Sequence, residues 1–476
     1  MAIHMLLSAQ IFAQVFDIVV AQDGSGDYFS VKTALDRGVS DNNLMRTLIF
    51  VKNGTYTEKV YLASSKKNVS LIGEDADSVI ISWNDYSGKD GLSTANSYTF
   101  LAEGDDFYAE NITFENSAGN VAQAVAIRTT GERQVFKNCK FLGFQDTYYA
   151  HKNRQYNYNC YIEGATDFIF GDATCVFENC TINCLQGGQY ITAPSDTKLT
   201  SIIPSGTFYH GLLFQNCIIT ADENVNANTY YLGRPWQPNA SSVYVSCALG
   251  DHIKQEGWSI WSGTNNHLSG CYAEYENVDA SGVLIDTTNR VSWSKQLSYS
   301  EVTDYYNLNY FLQKDGIPWD PSEITAFLEA PSGVNIEYPS ISWNPVDSAI
   351  GYAIYRDNAI IGFTTDILYN DMVERSGSYS YKIRAIGKYG NLSIATTNHQ
   401  ITNIPVYEDI PFRMVIHDKQ LLLSEDLNIK IYTSNGILVN SFYHTNFCDL
   451  TNLSKGVFIF SFENKDGLIF VKKIAI

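Results

Sequence analysis

Charge is what this chain has least of. Only 17% of its 476 residues are Asp, Glu, Lys or Arg, against about 25% in an ordinary globular protein. Basic residues are the scarcer sign, 32 against 51 acidic ones, which leaves a net charge of −19. That balance excludes a nucleic-acid polyanion as partner, and an acidic polysaccharide would have to be held by local neutral or basic contacts. No window offers eighteen continuous apolar residues, so no membrane span is expected. The cysteines form no paired CxxC and the histidines no HxxxH. No zinc or other metal is expected, and no cofactor. No window sustains a 3.6-residue period between helix caps, which sets aside a helical architecture.

What is present is a repeat. Phe114–Ser117 (FENS), Phe136–Cys139 (FKNC), Tyr158-Asn159-Cys160 (YNC), Phe177–Cys180 (FENC) and Phe214–Cys217 (FQNC) recur, the first four at steps of 22, 21 and 20 residues. Segments such as Asn111–Phe114, Val121–Arg128 and Val176–Ile182 alternate or run apolar over strand lengths. Short strands and turns at this period predict an all-β solenoid, the right-handed parallel β-helix, with equal phases stacked at roughly 4.8 Å. Cys and Asn of the NC pairs are expected to form interior ladders at a turn, with thiols rather than disulfides. Asp146 and Asp167 each lie seven residues after a repeat Cys, and Gln123 and Gln145 six after Ser117 and Cys139. The two carboxylates and two carboxamides are therefore expected on one sheet face of neighbouring coils. Two carboxylates this close resist joint ionisation, so one pKa should rise. Phase alone does not decide which of them would attack a substrate.

The ends differ from the middle. Met5–Ala13 (MLLSAQIFA) is too short to span a membrane and reads as the end of a secretory signal peptide, assigned to residues 1–14 with cleavage after Ala13 or Gln14. The basic segment that would precede it is missing, so a truncated or replaced start is expected. The β-helix is assigned to 15–322. Residues 328–405 carry Ile341-Ser342-Trp343, Gly351–Arg356 and Tyr379–Ile386, and resemble a fibronectin type III sandwich. Residues 406–476 end in Leu453–Phe460 and a Lys-rich strand, Val471–Ile474; they resemble the C-terminal sorting domain of type IX secretion. Two small β-sandwich-like domains are thus expected after the solenoid.

Five motifs stand in order along residues 17–320: Gly54-Thr55-Tyr56-Thr57-Glu58, Gln123–Arg128 (QAVAIR), Gly143–Thr147 (GFQDT), Gly164–Gly171 (GATDFIFG) and Leu232–Trp236 (LGRPW). Together they resemble the pectin methylesterases, β-helix carbohydrate esterases. The resemblance implies hydrolysis of galacturonate methyl esters in pectin to methanol and pectate. It makes Asp167 the nucleophile, Asp146 the general acid/base, and Gln123 and Gln145 the oxyanion donors, with Arg234 holding Asp167 charged. It places Trp236, Tyr149, Phe170, Thr166 and Thr94 along the substrate cleft. Gly54, Tyr56 and Glu58 read as architectural, with Gly54 at a turn. The chain departs from the family at Pro194-Ser195-Asp196, where Gln-Gly-Arg is usual, and lacks a basic residue after Trp236. The implied partner is methyl-esterified pectin, met by a monomer that is secreted or held on a bacterial cell surface, with secretion machinery contacting the C-terminal domain. The alternatives are a β-helix esterase or thioesterase with another substrate, a polygalacturonase or lyase, and a pectin-binding solenoid. Paired glutamines have no oxyanion to serve in a glycosidase, and a lyase would want Ca²⁺ carboxylate clusters.

Overall fold

Strands of three to six residues, cut apart by Gly, Asn and Asp turns, bury too little surface singly and are stable only when stacked. The computed structural model describes residues 15–337, 340–371, 377–404, 414–417, 419–434 and 436–476. The expected signal peptide, residues 1–14, lies outside the described residues. The chain divides into two compact units. In the first, Phe16–Ala326, each coil gives strands to three parallel sheets, of eleven, nine and seven strands. This is the parallel β-helix anticipated from the repeat. The seven-strand sheet carries Tyr149, Thr166, Asp167 and Phe170, and Asp146 and Arg234 flank its strands. It runs through Val60–Leu62, Phe100–Ala102, Ile127–Thr129, Tyr148–Ala150, Thr166–Gly171, Tyr190–Pro194 and Tyr231–Gly233.

Register explains most of the repeat and corrects part of it. Phe177 pairs with Phe214 and Phe214 with Tyr244, and their rings stack in the core at 4.7 and 4.5 Å. The FENS segment is out of phase with the others. Phe114 pairs with Phe141 in the nine-strand sheet, whereas Phe136 pairs with Ala109 and Asn157 in the eleven-strand sheet. One coil is longer here: 27 residues separate the paired Ala109 and Phe136, against 21 between Phe136 and Asn157. Asn157 fills the aromatic slot of its coil, fully buried, and donates to Cys175 Sγ at 3.3 Å.

The NC pairs split between inside and outside. Cys139, Cys160, Cys180, Cys217 and Cys247 are buried free thiols in the main core. The preceding Asn138, Asn159, Asn179 and Asn216 adopt left-handed backbone, φ between 52° and 56°, a region Asn tolerates better than most residues. They are not interior, as expected from sequence, but partly or fully exposed at the turn, where Asn159 Nδ2 donates to Asn138 Oδ1 at 2.7 Å. Gly54 also differs from expectation, opening the strand Gly54–Thr57 rather than a turn; a Cβ there would meet the Gln22 side chain. Tyr56 is buried with its hydroxyl donating to Lys52 O, and the Glu58 carboxylate accepts from the Val31 N–H and the Ser30 hydroxyl, capping a short helix.

In the second unit, built on Phe327–Ile476, Ser340–Ser342 belongs to a three-stranded sheet, and Ala349–Arg356 and Gly377–Gly387 to a four-stranded one. Trp343 is buried edge-on to Tyr352 at 5.1 Å. A separate core gathers around Leu421–Ile431, Phe458–Phe462 and Phe470–Ile474, where Val457–Glu463 pairs antiparallel with Ile469–Ala475.

Candidate active site

The two aspartates sit where strands of adjacent coils begin. Tyr148 pairs with Ile169 and Tyr149 with Phe170, a step of 21 residues that also separates Asp146 from Asp167. The Asp146 N–H donates to Thr166 O at 3.2 Å, and Gln145 bridges to Thr166. Both aspartates are left-handed, at φ 65° and 51°, and the register slips between Thr166 and Ile169 against the next strand. Non-glycine residues hold this conformation at a cost, and such positions cluster at functional sites. Gln123 leads into the preceding strand, and the Ala124 N–H donates to Gln145 O at 2.9 Å. The FENS phase that paired the two glutamines in sequence was fortuitous, yet the chain brings them side by side. Both are half-buried, and neither side-chain amide is committed to a protein acceptor among the described residues.

Arg234 follows the strand Tyr231–Gly233, two coils beyond Asp167 and three beyond Asp146. Its Nε donates to Asp167 Oδ1 at 2.9 Å and its Nη2 to Oδ2 at 2.6 Å. This two-pronged geometry fixes carboxylate orientation as well as charge. The guanidinium also lies 3.8 Å from the Tyr190 ring centroid and 4.3 Å from that of Trp261. Sequence reasoning did not assign these two rings to the site. Tyr190 stands 44 residues before Arg234 and Trp261 27 after it, both beyond any local motif.

Burial pushes the Asp146 carboxyl well above the usual carboxylate range; the neighbouring Asp167 charge pushes it further, and Arg234 offsets only part. Burial raises Asp167 as well, but the forked bonds and charge of Arg234 oppose it. One carboxyl is thus biased towards its protonated form while the other is held by a cation. That asymmetry suits acid and nucleophile roles in one site.

Aromatic side chains line the surface beside the pair. Phe170 stacks on Tyr149 at 4.2 Å and meets Trp236 edge-on at 6.1 Å; Val125, Ala193, Tyr98 and Trp261 complete the same apolar cluster. Thr166 is half-buried opposite Tyr190. Thr94 lies on the one-turn helix Thr94–Asn96. Arg128 ties that turn to the aromatic row, donating to Ala95 O at 2.9 Å and to His151 Nδ1 at 3.2 Å. His151 stacks on Tyr149; burial, with Arg128 and Lys152 nearby, pushes its pKa down to about 4. Tyr98 and His151 stand outside the five motifs, Tyr98 meeting the row only across coils, and Arg128 closes the QAVAIR motif without a role assigned to it from sequence. Among the described residues no His, Cys, Asp and Glu cluster could hold a metal ion.

A parallel β-helix bearing an arginine-clamped carboxylate pair beside an aromatic row defines the class, the β-helix carbohydrate esterases. Residues 17–315 match the family model described as "Pectinesterase", and the chain belongs to that family of carboxylic ester hydrolases. It is 37% identical over 310 residues to "Pectinesterase 31" of Arabidopsis thaliana, covering 63% of this chain and 93% of that one. It is 38% identical to "Pectinesterase/pectinesterase inhibitor PPE8B" of Prunus persica, covering 64% of this chain and 58% of the relative. Among solved structures it resembles "Pectin methylesterase from Carrot" at 33% identity and TM-score 0.57, over 62% of this chain and 93% of that one. It also resembles "Pectin methylesterase PemA from Erwinia chrysanthemi" at 25% identity and TM-score 0.53, over 65% and 99%.

Proposed function

We propose that the protein demethylates galacturonate esters of pectin by nucleophilic catalysis on Asp167. The observation that carries this reading is the forked Arg234–Asp167 pair beside a second carboxyl biased towards protonation. Asp167 attacks the ester carbonyl carbon. The oxyanion forms between the Gln123 and Gln145 amides, neutral donors with no competing protein acceptor among the described residues. As the tetrahedral centre collapses to an anhydride, Asp146 gives its proton to the departing methoxide, and methanol leaves. Asp146, now ionised, takes a proton from water, whose hydroxide opens the anhydride. Asp167 is regenerated and a free uronate remains. The row of Tyr149, Phe170 and Trp236 offers ring faces to sugar rings and methyl groups, with Thr166 and Thr94 contributing polar contacts.

Highly methylated pectin separates this reading from its rivals when methanol, reducing ends and unsaturated product are followed together. Methanol alone is expected. Reducing ends would indicate a glycosidase, and unsaturated ends a lyase. Asp167→Ala is expected to abolish methanol release with the circular dichroism spectrum intact; retained activity would remove Asp167 from its role.

The second unit supports two narrower proposals: a fibronectin type III-like module over 328–405, given its three- and four-stranded sheets around Trp343, and a sorting-type domain over 406–476 that engages secretion machinery. Export or surface display would bring the enzyme to its polysaccharide. Among the described residues no helix is long and apolar enough to cross a membrane.

A further inference from the structure

Basic side chains, scarce in the chain, gather at one place beyond the aromatic row. The turns that leave the seven-strand sheet after Tyr149 and Phe170 open on a cavity of about 320 Å³, a size in the range of small-ligand sites. Lys152, Arg154, Lys198 and Lys314 line it, against the single carboxylate of Asp172. Arg154 is already engaged, since its guanidinium binds Glu132 and donates to Leu312 O at 2.6 Å. The three lysines are more available. Lys152 is exposed and has no ion-pair partner within 4.0 Å among the described residues. Lys314 reaches Glu132 only at 4.0 Å, and Lys198 pairs with the surface residue Asp196 at 2.7 Å. Asp172 is half-buried beneath Lys152 and Lys198, whose charges it partly offsets.

Lys152 follows Tyr149 by three residues, roughly 10 Å of extended chain, and Asp172 follows Phe170 by two. A polysaccharide lying along the aromatic row would reach this cavity within a few sugars of the catalytic pair. Ester hydrolysis turns a neutral methyl ester into a carboxylate, so a processed chain differs from an unprocessed one by the charge that lysines recognise. The Lys stems and Leu199 supply apolar surface for a sugar ring, and Asp172 can accept a bond from a ring hydroxyl. We propose that Lys152, Lys198 and Lys314 form an anionic subsite that binds free uronate carboxylates of already demethylated pectin, so that the enzyme grips the block it has processed. This rests on the pectin reading of the neighbouring site.

The test is calorimetric titration of the full-length protein with unesterified galacturonate hexamer, for wild type and for the triple variant Lys152→Gln/Lys198→Gln/Lys314→Gln. Loss of three surface ion pairs is expected to weaken binding by about tenfold. KM on half-demethylated pectin should rise by a similar factor, with kcat and the KM on fully methylated pectin unchanged. Lys152→Gln alone, at an exposed position, should show part of the same loss. Equal affinity of wild type and triple variant, or no binding by wild type, overturns the subsite. Methanol release by wild type from fully methylated pectin reports separately on the esterase reading.

Discussion

Asp146 and Asp167 have the same side chain in the same left-handed backbone conformation, yet the guanidinium of Arg234 forks onto only one of them. That difference decides how each should respond to substitution. The folded-state pKa of Asp146 lies above its unfolded value, so its ionisation costs stability once pH rises past the unfolded carboxyl value. Asp146→Asn should therefore raise the unfolding temperature at pH 7 while removing activity. The gain should shrink as pH falls through the unfolded carboxyl range of about 4 and vanish below it, where both states of the wild type are protonated. Paired melts at pH 7 and about pH 3 check this, and an unchanged or lower melting temperature at pH 7 would contradict it. Arg234→Lys keeps the charge but loses the fork. With one charge-assisted hydrogen bond gone, kcat should fall on the order of tenfold to a hundredfold, and kinetics on methylated pectin measure it. Asp146, Asp167 and Arg234 were legible because each stands in a short local motif. Tyr190, Trp261 and Tyr98 were not, because only the stacking of distant coils brings them to the site.

At the scale of the coil, what the sequence showed most plainly was period, and what it concealed was phase. A strand and its turn leave an aromatic, an asparagine and a thiol in fixed order, but a long turn shifts that pattern to another sheet without changing its letters. FENS shows this, with Phe114 in register with Phe141 rather than Phe136. The asparagines mattered for their backbone. Their exposed side chains contribute one ladder bond, from Asn159 to Asn138, while their left-handed conformation makes the turn. Asn159→Ala should cost about 1 kcal/mol, because the short polar side chain of Asn tolerates that region better than Ala does and because the ladder bond is lost. That corresponds to a drop of about 2–4 °C in melting temperature per kcal/mol for a domain of some 150–250 residues, and somewhat less for a larger unit. Asn265→Ala, outside the ladder, exposed and at an ordinary φ of −109°, is the control. Equal shifts for the two would argue against the turn as the cause.

Over the whole molecule, every residue assigned to the site and to the lysine-lined cavity falls within Phe16–Ala326. A protein comprising that unit alone should release methanol from soluble pectin at a rate within about twofold of the full chain, since removing groups away from the chemistry leaves the transition-state contacts in place. A large loss would show that the C-terminal unit supports the fold or the substrate. The nine cysteines carry a different consequence. All are free thiols, eight of them buried, and burial pushes those of Cys160, Cys180, Cys217 and Cys247 well above the ordinary range. A protonated, inaccessible thiol neither attacks nor is attacked. The stacked sulfurs are packing material, and the fold asks nothing of the redox potential around it. Such a chain can be made in a reducing compartment and work in an oxidising one without a covalent rearrangement or the help of an isomerase.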